Sequence, residues 1–452
     1  MSALYDSKSK TLDDRGIKEL LNSRAKYQSW LDVEAALAQA QGELAVIPEK
    51  EAKKIAKQAK VENLDFVKMD EIYQKVGHGF VPFLKVFVLA CGKETGKYIH
   101  FGATTQNIQQ TAQNLTTKKV HKRFLSFFKD ILTNLANLAD KEAETVMPGR
   151  THGKHAIPIT YGYKVATWIS ELWMSLERMQ EVEKRMFTTM MGGAVGAFNS
   201  TGEVGIQVQK RVAELLDMPA MEIPSRNISS QKIEYINCLA LLANNLHKIA
   251  EEVFQTSIEE FAEVSEGFSK GTVGSSTMPH KINPKLSKGI IANAQKLYSL
   301  TSAGYASSAR PFEADSTSNM LFDGMITEAL ELMTEILMRA EELTRTLTVH
   351  RKRMLKNANI NQGIDNSEYI MMYFANRIGK DQAHELIYDL AIEAETSEKS
   401  YRDVLLANQT VRQSFTEEEL LEMLKPENYV GLSAQLAHDM AEKSQTIIAE
   451  LE

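Results

Sequence analysis

Gly274-Ser275-Ser276-Thr277-Met278-Pro279-His280-Lys281-Ile282-Asn283-Pro284, led into by Lys270 and Gly271, is the stretch around which the rest of the chain is organised. Glycine gives the backbone freedom, and Pro279 and Pro284 keep the segment from joining either neighbouring helical run. Ser275, Lys281 and Asn283 supply a hydroxyl, a cation and an amide. The stretch therefore reads as a polar loop between two long helices, which fits either a solvated connector or a site.

Outward from this loop the hydrophobic spacing is helical. Ile17, Leu20, Leu21, Trp30, Leu31, Val33, Leu37 and Leu44 mark a stripe over 14–45. Further runs cover 108–143, 158–190, 228–268, 286–302 and 320–350, several longer than thirty residues against a mean helix of about 11–12. Between them, 70–107 is turn-rich, with Gly77, Gly79, Pro82, Gly92, Gly96 and Gly102. After about residue 355 the units shorten, with helices at 381–396 and 417–424. No alternating pattern of useful length appears. The reading is an all-α chain in three parts: an N-terminal helical domain (1–107), a central long-helix bundle (108–355) and a C-terminal helical domain (356–452). The apolar run from Cys238 to Ile258, rich in Leu239, Leu241, Leu242, Leu246, Ile249, Val253 and Phe254, invites neighbours on more than one side, so an oligomer is expected.

Composition excludes several classes. The net charge of −7 argues against a nucleic-acid backbone binder, because phosphate binding needs clustered excess cation. No apolar run approaches membrane-spanning length, 1–10 lacks a signal-peptide core, and Cys91 and Cys238 make no disulfide framework. A cytoplasmic protein is expected.

Two more segments concentrate reactive groups. His100-Phe101-Gly102-Ala103-Thr104-Thr105-Gln106-Asn107, with His78 upstream, precedes a helix whose N-terminus favours an anion, although Thr104, Thr105 or Asn107 would equally serve as a cap. Arg150-Thr151-His152-Gly153-Lys154-His155 puts two histidines and two cations at a helix break, a fit for proton transfer and anion binding. His152 and His155 have no carboxylate or thiolate nearby in sequence, so neither a metal nor another cofactor is expected. In the opening loop, Ser275 could act as a base if surrounding dipoles stabilise its alkoxide, with Ser276, Lys281 and Asn283 beside it.

The loop matches the pattern G-S-S-x-M-P-x-K-x-N-P at every specified position and so resembles the signature loop of the fumarase/aspartase superfamily. Trp30-Leu31-Asp32-Val33-Glu34, Gly192-Gly193-Ala194-Val195-Gly196 and Tyr429-Val430-Gly431-Leu432 extend the likeness over nearly the whole chain. The branches it is most similar to are adenylosuccinate lyase and the bacterial 3-carboxy-cis,cis-muconate cycloisomerase. The resemblance implies three helical domains, a homotetramer with a central helix bundle, and sites assembled from three subunits. It implies anti β-elimination with C–N or C–O cleavage from a succinyl-type polycarboxylate, releasing fumarate. By motif position Ser275 would take the Cβ proton, His152 would be the partner acid, and His78 a second candidate. Thr104, Thr105, Asn107, Lys154, Ser276, Lys281 and Asn283 would bind substrate carboxylates.

The chain also departs from the pattern. Thr105 and Asn107 replace the family's Ser and Asp, Lys154 stands for a common Gln, and Lys288 occupies the place of a Glu that pairs with the catalytic histidine. Together these shift the site by roughly +4 at neutral pH. Ala3-Leu4-Tyr5-Asp6 and Ser316-Thr317-Ser318-Asn319-Met320 lack the arginines adenylosuccinate lyases carry there. Two alternatives therefore stand beside the lyase: the lactonising cycloisomerase, and a catalytically silent relative kept as a structural or regulatory protein.

Overall fold

The computed structural model describes residues 8–268 and 273–450; Lys270, Gly271 and the Ala3–Asp6 segment lie outside them. Among the described residues there are nineteen α-helices and two small antiparallel sheets. The long runs emerge as helices: α1 (Ser23–Glu43), α4 (Thr105–Lys141), α5 (Tyr161–Met186), α6 (Ser230–Thr256), α7 (Lys285–Ser308) and α8 (Ser316–Thr346). The shorter C-terminal pair appears at Lys380–Thr396 and Glu417–Met423, the latter started by a capping box between Thr416 and Glu419.

Two readings of the sequence need correction. The turn-rich stretch 70–107 contains α2 (Phe66–Val76) and α3 (Val81–Cys91). Its glycines end helices instead of preventing them: Gly77 sits at φ 59 as the cap of α2. The break around His152 is a β-hairpin, β1 (Val146–Thr151) against β2 (Lys154–Thr160). His152 and Gly153, at φ 54 and 74, form its two-residue turn, the positive-φ pair that a tight hairpin requires. Pro148 and Pro158 face each other in this ladder, which hid its strand pattern from a sequence reading.

The chain divides into two compact units. The first comprises 1–127, 175–244 and 289–338, the second 128–174, 245–288 and 339–452. In the first unit, α1 carries Tyr27 and Trp30 into an aromatic cluster with Phe66, Phe80 and Phe83, ring centroids 5.0–6.1 Å apart. Edge and tilted pairs of this kind contribute about 0.5–1.5 kcal/mol each beyond area burial. α1 itself starts where Asn22 accepts from the Ala25 amide. In the second unit, Ile370, Phe374, Ile387, Tyr401, Leu405 and Leu420 form a separate core. The second sheet, β3 (Val264–Ser265) with β4 (Thr348–Val349), lies in this unit too.

Candidate active site

In the first unit the Thr104–Thr105 segment is held from α1. Glu34 is buried and its Oε1 lies 2.7 Å from His100 Nδ1; Gln41 Nε2 donates to Phe101 O at 2.7 Å. His100 itself takes φ 61, a conformation that this fixed partner holds in place. Thr104 and Thr105 are partly exposed at the start of α4. Asn107, by contrast, is fully buried. Its Oδ1 accepts from Thr104 N at 3.0 Å and Gly193 N at 3.2 Å, and its Nδ2 donates to Gly193 O at 3.5 Å. Asn107, expected to bind substrate, instead has both ends of its amide engaged in tying the segment to Gly193. The contact to the Gly193 carbonyl needs an amide, since a carboxylate has nothing to donate to it.

His78 lies beyond the end of α2. Its Nδ1 accepts from Phe80 N and Val81 N at 3.1 and 3.2 Å, so it caps α3. An accepting Nδ1 puts the neutral ring's proton on Nε2, which remains the nitrogen able to donate outward.

In the second unit, His152 is exposed at the hairpin tip, with Lys154 exposed one residue beyond the turn. The neighbouring cation is committed elsewhere. Arg150 makes a two-pronged ion pair with buried Glu263, at 3.0 and 2.5 Å, and Asn357 Nδ2 donates to the same carboxylate at 2.8 Å. His155 also has a partner that sequence proximity could not show: its Nδ1 lies 3.3 Å from Asp365 Oδ2.

The signature loop folds on itself. Asn283 Nδ2 donates to Gly274 O at 3.1 Å and Lys285 Nζ to Val273 O at 2.8 Å, so the loop's two ends are tied together. A Cβ at Gly274 would lie 2.4 Å from Lys281 O, which only glycine avoids. Ser275 Oγ accepts from the Met278 amide at 3.1 Å. Ser275, Ser276 and Lys281 have no buried role here: Lys281 is exposed and both serines line the loop.

Sequence reasoning missed what anchors this loop to the fold. Pro284, just before α7, offers no side-chain acceptor, and Glu266 supplies one from twenty residues upstream. Its Oε2 accepts from Leu286 N at 2.9 Å and its Oε1 from Ser287 N at 2.7 Å, while Lys288 in the same turn is exposed. A carboxylate does sit at the start of α7, then, but it comes from the residue that follows β3, ahead of the loop. Glu263 and Glu266 bracket β3, so one short strand carries the anchors of both Arg150 and α7. Two acidic residues flanking a Val-Ser pair are too common a pattern to single out from sequence.

Residues 13–296 match the Lyase family and residues 363–440 the adenylosuccinate lyase C-terminus family. This chain is a lyase of the fumarase/aspartase superfamily. The lyase is 34% identical to adenylosuccinate lyase of Methanocaldococcus jannaschii, over 94% of its own length and 92% of the relative's. It is 33% identical to N-acetyl-S-(2-succino)cysteine lyase of Enterococcus italicus, over 95% and 94% of the two chains. Among solved structures it is similar to the 3-carboxy-cis,cis-muconate lactonizing enzyme of Pseudomonas putida, with a TM-score of 0.88 and 26% identity, covering 96% and 97% of the two chains. The all-α architecture read from the long helical runs is the superfamily's.

Proposed function

We propose that this lyase cleaves a succinyl-type polycarboxylate by anti β-elimination and releases fumarate. The observation that carries the reading is the intact loop with the Met278 amide donating to Ser275 Oγ. A hydrogen bond to the charged form favours it, so the same amide stabilises the serine alkoxide that must form. The alkoxide takes the proton from the carbon next to a carboxylate. The electron pair moves into that carboxylate as an aci form, then returns to expel the leaving group, which takes a proton from the acid. His152, exposed on its hairpin, is that acid; His78, with Nε2 free to donate, is the second candidate. Thr104, Thr105, Lys154, Ser276 and Lys281 bind the carboxylates, and Asn283 shapes the loop that presents them.

These segments come together in a homotetramer, in the cytoplasm, with each site drawing on more than one subunit. Exposed apolar side chains on the long helices, Leu241 at 46% and Tyr305 at 60%, support an assembly that covers them. The test is fumarate absorbance from a panel of N-succinyl and S-succinyl compounds, since relatives named for either linkage are similarly close. Ser275→Ala should lower turnover by orders of magnitude with binding retained. A wild type that releases no fumarate from any of them ends the elimination reading. Likeness to the lactonizing enzyme favours a second reading, in which a ring carboxylate adds across a muconate double bond; conversion of 3-carboxymuconate to its lactone would select it.

A further inference from the structure

Within the first unit, α1, α4 and α8 line a partly open cavity of about 330 Å³ whose wall includes Lys232 of α6. Lys232 is only 3% exposed. Its Nζ lies 3.5 Å from Gln110 Oε1 and 5.5 Å from the Phe322 ring centroid, and it forms no ion pair among the described residues. Burial pushes this ammonium down to about 8, with Asp323 opposing the shift. A buried cation without a counter-charge is costly to keep, and retaining one in a cavity wall calls for a partner that enters from outside.

The neighbouring amides point the same way. An ammonium can only donate, so Gln110 must turn its oxygen toward Lys232 and its nitrogen away. Gln110 Nε2 then donates to Asn319 Oδ1 at 2.8 Å, which leaves Asn319 Nδ2 as the last donor in the chain. That nitrogen is buried and has no acceptor among the described residues. The cavity's remaining charges answer each other: Lys26 Nζ pairs with Asp323 Oδ2 at 3.3 Å, and Gln113 donates to Asp323 Oδ1 at 3.2 Å. What is left is one net positive charge and one unanswered amide donor in a cavity of ligand size.

We propose that this cavity binds a small oxyanion-bearing molecule, its carboxylate or phosphate oxygens accepting from Lys232 Nζ and Asn319 Nδ2. This goes beyond the elimination reading and does not rest on it. Gln106, the residue after Thr105, also lines the cavity, so the anion is either the far end of the substrate or a separate small molecule.

Isothermal titration of the full-length protein with inorganic phosphate and with succinate tests the proposal. The wild type should show a binding class that weakens at least tenfold in Lys232→Met. The same class should weaken in Asn319→Asp, which places an oxyanion of the protein's own beside the lysine and competes for it. That second variant keeps the test decisive if loss of the lysine disturbs folding. Fumarate-release kinetics separate the two sources: a several-fold rise in KM at similar kcat in Lys232→Met assigns the anion to the substrate, whereas phosphate that alters wild-type rates but not the variant's assigns a separate molecule. Equal affinities in wild type and both variants, or no binding of either anion below about 10 mM, overturns the proposal. A protein that binds phosphate through Lys232 but releases no fumarate counts against the elimination reading alone.

Discussion

Replacing Glu266 by glutamine keeps the shape of the side chain and removes half of what it does. In the native protein its two oxygens accept from Leu286 N and Ser287 N at the first turn of α7, and the residue is 9% exposed. A glutamine oxygen can accept one of those amides; its nitrogen would face the other, leaving a buried N–H without a partner. An orphaned donor costs about 1–3 kcal/mol, and losing a negative charge at a helix N-terminus adds up to about 1 kcal/mol. The expected penalty is thus about 3 kcal/mol. At about 1.4 kcal/mol per factor of ten, local opening of this turn becomes roughly a hundredfold more frequent. Amide hydrogen exchange of the full-length protein reads this directly at Leu286 and Ser287. Lys288→Met, on the exposed side of the same turn, should leave both amides as protected as before. Fumarate release should fall with Glu266→Gln, because the signature loop loses the fixed end from which Asn283 reaches back to Gly274. Protection of the two amides within about twofold of the wild type would refute the anchoring role.

Other consequences can be checked separately. Lys232 has a folded-state pKa of about 8, below its unfolded value, so between about pH 8 and 10.4 the unfolded chain binds the extra proton and stability rises with pH. At pH 7 the penalty is fully present, and Lys232→Met should raise stability there by up to about 3 kcal/mol while flattening that slope; urea midpoints at pH 7 and pH 10 measure both. His100→Ala leaves the buried Glu34 without its partner and should cost about 3 kcal/mol, with a raised KM as the Thr104 segment loosens; denaturant unfolding and steady-state kinetics test the two parts. Asn107→Asp, which restores the residue of the family pattern, would set a carboxylate oxygen against Gly193 O and should destabilise the protein by about 1–2 kcal/mol in the same unfolding assay.

The helices were legible because they are long and proline-free: a period of 3.6 sustained over thirty residues leaves little room for another reading, and α4, α5 and α8 lie within about four residues of their expected ends, whereas α6 stops at Thr256, twelve residues before the end of its apolar run. The signature loop was legible for a different reason, because its chemistry is local. Gly274, the two prolines and Ser275 act through neighbours within ten positions, and the turn they make is written in one stretch. The hairpin at His152 was hidden, since prolines in both strands mask the alternation that a ladder usually shows. The partners of the reactive groups were hidden as well. Glu34 with His100, Glu263 with Arg150, Asp365 with His155 and Glu266 with α7 are joined across 20 to 210 residues of chain. Burial makes each of these pairings obligatory, because a charge or donor withdrawn from water must meet a partner. Which partner it meets depends on how the helices pack, so sequence determined the residues that could do chemistry, and tertiary structure decided which are free to do it. Asn107 and Arg150 are spent on the fold, while His152 and Lys281 are left exposed and Ser275 partly so.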